Sequence, residues 1–400
     1  MDQRLHRLQV ENFRSLQKIT LPLRDLNVLV GPNGAGKTNV LQVFDFLARI
    51  ILTDLQPALD SIGGFGAVVF RGGERTPTSI RINLTATWTS YSRPNRPDEY
   101  ELRLTRRTRG NSSRTLERAE EFSFYRSQGR KRNITVSGER ARVTDLVQDQ
   151  ALREQNIGIR RLSSGLSTLP RLVDEAGANE VATIANRLAS FRVFNVAVDR
   201  ARTASRIPTR NEPLAADASN LAAFLLTMAN NYPSEWGRLI EDARAVLPQV
   251  QDIEFLYPSG AAHEVVVALK EAGLRIPTQL ADASYGTIRL LGILALLYDP
   301  DPPALTCIEE VDHGLHPQAL ELLVQRLREA SERTQLIIAT HSPTLADRLT
   351  PEEMIICERR RDGSSAIPAI SSPQIRNIVT ASEGLPLGEL WFSGALGGDL

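Results

Sequence analysis

The sequence predicts an α/β fold in which a parallel sheet, built from both ends of the chain, is interrupted by a β lobe and a helical insert. Three observations predict it. Residues 26–30 form an unbroken apolar run that stops at Gly31 and gives way to helical spacing from Asn39 to Leu47. Residues 304–308 and 335–340 are two further apolar runs, ending at Glu309-Glu310 and at His341. Between these ends, residues 79–137 switch to short alternating segments, and residues 140–250 read as mostly helical. Continuous apolar runs mark strands buried on both faces, whereas alternation marks half-buried antiparallel strands.

The elements follow in order. Residues 4–30 read as strands, with Leu5, Leu8 and Val10 ahead of a turn at Asn12-Phe13-Arg14. Gly31-Pro32-Asn33-Gly34-Ala35-Gly36-Lys37-Thr38 then fits the phosphate-loop pattern GxxxxGK(S/T) at every fixed position. A strand, a glycine-rich turn and a helix start aim backbone N–H groups and a helix dipole at one point. Asn33, Gly34, Gly36 and Asn39 belong to that cradle, Lys37 reaches the β- and γ-phosphates, and the Thr38 hydroxyl ligates Mg²⁺. The fold class is therefore a P-loop NTPase, with ATP and Mg²⁺ as its expected cofactors. Residues 36–53 read as helix. Segments 80–89, 100–107, 121–126 and 133–137 read as antiparallel strands joined by polar turns. The helical stretch is interrupted at 191–198 and by Pro208 and Pro213, and is clearest at 219–229 and 235–247. Residues 252–257 and 263–269 return to strand, 285–298 to helix, and 304–370 alternate strand and helix to complete the sheet. The tail, 388–400, is expected to pack back through Trp391 and Phe392. These readings divide the chain at 1–78, 79–140, 141–250 and 251–400. There is no internal repeat and no heptad run long enough for a coiled coil.

Downstream residues supply the remaining chemistry. Residues 304–308 follow the break Asp299-Pro300-Asp301-Pro302-Pro303 and deliver Glu309 and Glu310 to the C-terminal edge of a sheet, where ligands of open α/β folds gather. Side chains alternate on a strand, so adjacent carboxylates can take different tasks, one holding the metal and the other orienting and deprotonating water. His341 precedes Ser342-Pro343, a helix-start signal, and a neutral imidazole there can hydrogen-bond a γ-phosphate.

ENFRSL (11–16), GPNGAGKTN (31–39), IEEVDHGLHP (308–317) and IIATHSP (337–343) resemble the ABC-type ATPase heads of the RecF, SMC and OLD proteins. The likeness is greatest to stand-alone bacterial ATPases of the AAA-like OLD group. Its specific motifs cover roughly residues 1–50 and 275–360. The resemblance implies that Glu309 is the metal-site carboxylate, Glu310 the catalytic base, His341 the switch histidine, and that Arg14 lies near the nucleotide. It also implies that Ser284 and Gly286 form a signature loop that contacts ATP bound to a partner subunit, so that ATP is sandwiched in a homodimer or higher oligomer. The signature reads Ala283-Ser284-Tyr285-Gly286-Thr287 rather than LSGGQ, which sets the chain apart from transporter subunits, and Glu309 stands where many ABC proteins have Asp. Gln42 and Gln56 are both candidates for a Gln loop.

Composition narrows the class. An apolar fraction of 42% with 24% charged residues is that of a globular chain, and the formal net charge of zero gives no global pull toward nucleic acid or membrane. Cys307 and Cys357 both lie in apolar runs and are expected buried and reduced, as in the cytoplasm. No signal segment opens the chain and no apolar stretch is long enough for a membrane span. Charge is biased locally: residues 93–142 carry fourteen Arg or Lys against seven Asp or Glu, with Tyr91, Tyr100, Phe122, Phe124 and Tyr125 nearby. Such a stretch either contacts DNA or RNA or is a solvated face over an aromatic core.

Two functional readings lead. One is an ATP-hydrolysing motor or switch in DNA maintenance or antiphage defence, acting with a separately encoded effector. The other is an ATP-stabilised scaffold that gates a partner nuclease or toxin with little turnover. OLD-like relatives often carry a nuclease domain. Only 59 of the 400 residues follow His341, so no intrinsic nuclease is expected.

Overall fold

A computed structural model describes residues 3–109, 113–147, 150–171, 178–258 and 263–397. The chain begins with β1 (Leu5–Phe13), β2 (Leu16–Pro22), β3 (Leu26–Val30) and α1 (Lys37–Thr53), then α2 (Leu55–Ser61) and α3 (Gly64–Val68). Six strands follow: β4 (Ser79–Ala86), β5 (Asp98–Arg109), β6 (Ser113–Tyr125), β7 (Lys131–Ser137), β8 (Arg140–Val147) and β9 (Gln150–Gly158). Next come α4 (Gly165–Thr168), α5 (Ala178–Ala189), β10 (Arg192–Phe194), α6 (Val198–Ala201), β11 (Ser205–Arg206), α7 (Leu221–Asn231) and α8 (Pro233–Val246). Strands β12 (Val250–Leu256), β13 (Glu264–Glu271) and β14 (Thr278–Gln279) lead to α9 (Tyr285–Leu297). The C-terminal part holds β15 (Leu305–Glu309), α10 (Pro317–Ser331), β16 (Gln335–Thr340), α11 (Pro343–Ala346), β17 (Met354–Ile356), β18 (Glu358–Arg359), β19 (Ser365–Ala366), α12 (Ser372–Ala381) and α13 (Leu387–Phe392). No helix among the described residues is long and apolar enough to cross a membrane.

The central sheet runs β10-β15-β16-β3-β17 and all its pairings are parallel. Alternation along these strands divides the interior in two. Leu29, Cys307, Ile337 and Cys357 face α1 and the β lobe. Val28, Val30, Ile308, Ile338 and Ile356 face α7, α9 and α10. Both faces are therefore covered, which is why β3 and β16 are buried at every position.

The eight-stranded sheet runs β2-β1-β4-β5-β6-β7-β8-β9, every pair antiparallel. It crosses the boundary drawn at residue 78, because β1 pairs with β2 on one side and β4 on the other rather than joining the parallel sheet. The mostly helical reading from residue 140 is corrected for residues 140–158, which form β8 and β9. Ala141 and Val143 turn inward while Arg140 and Arg142 face solvent, a period of two that the dense charges obscured. The turn before β8 is two residues long, with Gly138 at φ 55°, as tight hairpins require. The tail packs through Trp391, which is buried, whereas Phe392 is exposed, so half of that expectation is corrected. Both cysteines are buried and free.

Candidate nucleotide-binding site

The phosphate loop leaves β3 at Gly31 and enters α1 at Lys37. Gly36 is the N-cap of α1, at φ 103°, and makes no side-chain cap. A Cβ built there would lie 2.1 Å from Ser365 Oγ and 2.7 Å from Ser15 Oγ, so both the backbone angle and the space demand glycine. The first turn of α1 holds no acidic residue. Its N–H groups thus carry no internal counter-charge, which is the chemistry an anion needs. Behind the loop, Asn39 Nδ2 donates to Ser15 Oγ at 2.6 Å, and Ser15 Oγ bonds Ser365 Oγ at 2.7 Å.

Lys37 Nζ donates to the carbonyls of Gly31 at 2.6 Å and Pro32 at 2.9 Å. Burial lowers its pKa, opposed by the charge of Glu310. Burial likewise pushes the Cys357 thiol up to about 12, so it sits behind the loop as a neutral thiol.

The opposite wall comes from β15 and β16. Glu309 ends β15, and Glu310 follows at φ 49°, an uncommon left-handed angle for glutamate. Its N–H donates to the Ala339 carbonyl at 2.8 Å. Arg289 of α9, only 2% exposed, holds this turn from behind: Nη2 donates to the carbonyls of Glu309 at 3.0 Å and Glu310 at 2.6 Å. Glu310 Oε2 lies 3.2 Å from His313 Nδ1. His341 is exposed just beyond β16, where Thr340 Oγ1 donates to Asp312 Oδ1 at 2.7 Å. Ser342 caps α11, accepting from Leu345 N–H at 3.2 Å. His316 caps α10 through Nδ1 and stands outside the site.

One cavity of about 270 Å³ is lined by Asn33, Gly34, Gly36, Lys37, Thr38 and Asn39 on one side and Glu309, Glu310 and His341 on the other. The uncapped helix start fits a triphosphate. Thr38 and Glu309 offer a hydroxyl and a carboxylate, and hard oxygen donors of this kind hold Mg²⁺ when phosphate oxygens complete its shell.

Three predicted residues lie elsewhere. Arg14 lines an adjoining cleft of about 430 Å³ that shares Asn39 and Arg359 with the nucleotide cavity. Ser284 is the N-cap of α9, accepting from Thr287 N–H at 3.1 Å. Gly286 packs against the Gly314 carbonyl, which a Cβ would approach to 2.4 Å. The intervening Tyr285 packs against His313, ring centroids 5.6 Å apart and planes tilted by 43°. The signature thus touches the loop that follows the carboxylates but does not line the cavity. Of the two glutamine candidates, Gln42 lies on α1 with a buried Oε1 that finds no hydrogen-bond partner among the described residues, while Gln56 bonds Asp60 in an exposed pair.

Two residues escaped the sequence reading. Arg359, on β18, lines the cavity, and no motif marked it. Arg289 had a signal: it is the single charged residue in the apolar helix YGTIRLLGILALL.

A family described as "AAA domain, putative AbiEii toxin, Type IV TA system" matches residues 26–347, more than three quarters of the chain. An OLD nuclease of Thermus scotoductus is 53% identical over 57 residues, which is 14% of this chain and 10% of that protein. The chain thus matches only about a tenth of that relative's length. An SMC head bound to the C-terminal winged-helix domain of ScpA superposes with a TM-score of 0.51 at 12% identity, covering 91% of this chain and 96% of that one. An SMC head with an extended coiled coil, bound to the C-terminal domain of ScpA from Pyrococcus furiosus, gives 0.50 at 11% identity, covering 95% and 100%. The fold is that of an ABC-type P-loop ATPase head, shared with the SMC heads, and the chain belongs to the family described as AAA domain, putative AbiEii toxin.

Proposed function

We propose that this ATPase hydrolyses ATP in a site shared between two copies of the chain, and that the cycle gates a separately encoded effector in DNA maintenance or antiphage defence. The observation that carries the reading is a separation. Glu309, Glu310 and His341 face the phosphate loop across one cavity, while Ser284 and Gly286 lie outside it at the start of α9. A residue pair at a helix start, outside the lining of its own chain's cavity, is suited to a phosphate held by a second protomer.

Within one protomer, Lys37 and the uncapped N–H groups of α1 bind the β- and γ-phosphates. Thr38 and Glu309, on the two walls of the cavity, would hold Mg²⁺, which would supply charge neutralisation at the phosphoryl oxygens. Glu310 orients the attacking water and takes its proton, and His341 holds the γ-phosphate side. Arg289 fixes the backbone that presents both glutamates, and it does so from the helix that the signature begins. Engagement of the signature by a partner is thereby felt at the carboxylates. Cutting of nucleic acid is assigned to the effector: Glu353 pairs with Arg328, Glu352 with Arg376, and Asp362 accepts from Ser364.

The test is a pair of experiments. Glu310→Gln lowers turnover by about 10²–10⁴-fold with ATP binding retained, and the ATP-bound protein shifts to dimers or larger assemblies. Lys37→Ala loses ATP binding. Mixing Lys37→Ala with Ser284→Arg restores part of the activity, because one class of mixed dimer gathers both lesions in one site and leaves the other whole. Two inactive proteins that exchange subunits yet stay inactive at every ratio sink the shared site. Unchanged turnover in Glu310→Gln removes the role assigned to Glu310.

A further inference from the structure

The cleft of about 430 Å³ beside the nucleotide cavity shares two residues with it, Asn39 and Arg359. Three loops meet there: the turn between β1 and β2, the segment after α3, and the hairpin of β18 and β19. Backbone hydrogen bonds tie them to one another and to the sheet. Phe70 N–H donates to the Asn12 carbonyl at 2.9 Å, Ser365 N–H to the Ser15 carbonyl at 2.8 Å, and Cys357 N–H to the Val30 carbonyl at 2.7 Å. Glu309, Glu310 and His341 line the cavity and not the cleft, so the cleft meets the cavity away from the groups assigned to hydrolysis.

Arg359 stands at the junction on a backbone that is held and with a side chain that is not. Its partner across the hairpin is Ser365, whose Oγ bonds Ser15 Oγ at 2.7 Å and sits where a Cβ on Gly36 would fall. The hairpin is thus fixed against the phosphate loop. The guanidinium is exposed, and among the described residues it makes no ion pair. Its hydrogen bond, from Nη1 to the Gly34 carbonyl, is 3.4 Å long and therefore weak. Charge points the same way. Without Arg359, Lys37 would stand alone in the cavity lining against Glu309 and Glu310; Arg359 makes the count two against two before a nucleotide adds its own negative charge. A guanidinium fork also matches the oxygens of a phosphate. The cleft's other arginines, Arg14 and Arg71, do not reach the cavity lining, and Arg71 spends Nε and Nη2 on the Gly66 carbonyl.

Resting on the ATPase reading, we propose that Arg359 is a nucleotide-binding residue that closes on the α-phosphate where the cavity passes into the cleft. Lys37 and the start of α1 take the β- and γ-phosphates, and Glu310 and His341 work at the γ end. A cation at the other end serves a phosphate that ATP and ADP share. Its grip is the same before and during bond breaking, so it sets affinity and leaves the chemical step alone. Arg359 comes from a hairpin with no motif, so this contact belongs to the chain's own C-terminal part and not to the phosphate loop.

The experiment uses the full chain with Mg²⁺. ADP and a non-hydrolysable ATP analogue are titrated by calorimetry, and ATP turnover is measured at steady state. Arg359→Ala, at an exposed position that the fold does not need, weakens ADP and the analogue alike by about tenfold, the loss expected for one charge-assisted hydrogen bond. KM for ATP rises by a similar factor while kcat stays within about twofold, the pattern of lost uniform binding. Arg359→Lys recovers part of the affinity, because it keeps the charge and loses the fork. Arg360→Ala removes the neighbouring charge of the same hairpin from a residue that lines neither space, and it leaves both affinities unchanged. Loss of the analogue with ADP unaffected would place Arg359 at the γ-phosphate and overturn the assignment. So would a fall in kcat at constant KM, or affinities indifferent to Arg359. A wild-type chain that binds ADP without turning over ATP would sink the ATPase reading alone, and the ADP titration would still decide on Arg359.

Discussion

The parallel sheet and the antiparallel lobe handle charge in opposite ways. In the parallel sheet, strands β3 and β16 are wholly buried, and ionisable groups are expelled to the carboxyl edge, where Glu309, Glu310 and His341 meet the phosphate loop. In the lobe, charge is taken into the interior: Arg118 and Glu120 lie on the same inward face as Phe122. A site at a sheet edge takes its ligand from solvent, with one buried cation, Arg289, holding the turn behind it. A buried Arg–Glu pair is expensive, and proteins keep such pairs where they fix a geometry or wait for a ligand. Asp54 is one polar link between the two regions. Asp54 ends α1, and its Oδ1 accepts from Ser164 N–H at 2.8 Å and Ser167 Oγ at 3.0 Å, beside the Gly165 that Glu120 holds.

This comparison can be broken or sharpened by four measurements. The largest effect is expected at Phe122, fully buried with its ring centroid 4.9 Å from that of Tyr100. Phe122→Ala costs about 3–5 kcal/mol in chemical denaturation. It leaves ATP affinity close to wild type, because Phe122 lines neither the phosphate loop nor the carboxylates that face it. Loss of nucleotide binding in a folded Phe122→Ala protein would show instead that the lobe sets the shape of the loop.

Arg289 comes next. Arg289→Met removes the donor that serves the Glu309 and Glu310 carbonyls, costs about 2–3 kcal/mol, and lowers turnover more than it weakens ATP binding. Equal losses in both would mark Arg289 as a general support and not a support of the carboxylates.

The third effect is a pH dependence confined to the lobe. Glu120 is raised from an ordinary 4.5 to about 7, chiefly by burial. The folded state then holds a proton that the unfolded state releases, so this group favours folding below about pH 4.5 and its contribution is lost as pH rises toward 7. Glu120→Gln removes that slope. The difference in melting temperature, variant minus wild type, should grow from pH 5 to pH 7.5; a flat difference refutes the assignment. The smallest effect belongs to the solvent face. The Arg142–Glu154 pair, with side chains 63% and 49% exposed, contributes under about 1 kcal/mol, and Arg142→Ala should change denaturation by no more than that.

The same contrast explains what the sequence disclosed. The parallel sheet was legible because its strands are uninterrupted apolar runs and its loops carry motifs at fixed spacing. Leu26–Val30 and Gln335–Thr340 were bounded to the residue. In the lobe, β8 and β9 were lost to a helical reading, since RARVTDLV alternates only weakly once its arginines and aspartate are counted as polar. Arg359 was invisible because β18 and β19 are two residues each and carry no periodic signal. The aromatics near the basic stretch were read two ways, as base-stacking groups or as core. Tyr100, Phe122 and Phe124 are core, while Tyr91 is half exposed. Arg118 carries no sequence mark at all, because one arginine among fourteen basic residues announces nothing about its burial.

The strand order of the parallel sheet also dictates how the chain is made. Val28 of β3 pairs in register with Ile338 of β16, and β17, on its other side, comes later still. The lobe strands β4 to β9 instead pair each with the next in sequence. Neighbouring hairpins close cheaply and early, while a pairing across hundreds of residues waits for the chain that supplies it. During synthesis the lobe is thus complete while the phosphate loop hangs on an unpaired apolar strand. That strand is a chaperone's natural target until β16 and β17 emerge. A ribosome-bound chain halted before β16 should have its lobe formed and no capacity to retain ATP, so nucleotide binding is a late certificate that the whole head has assembled.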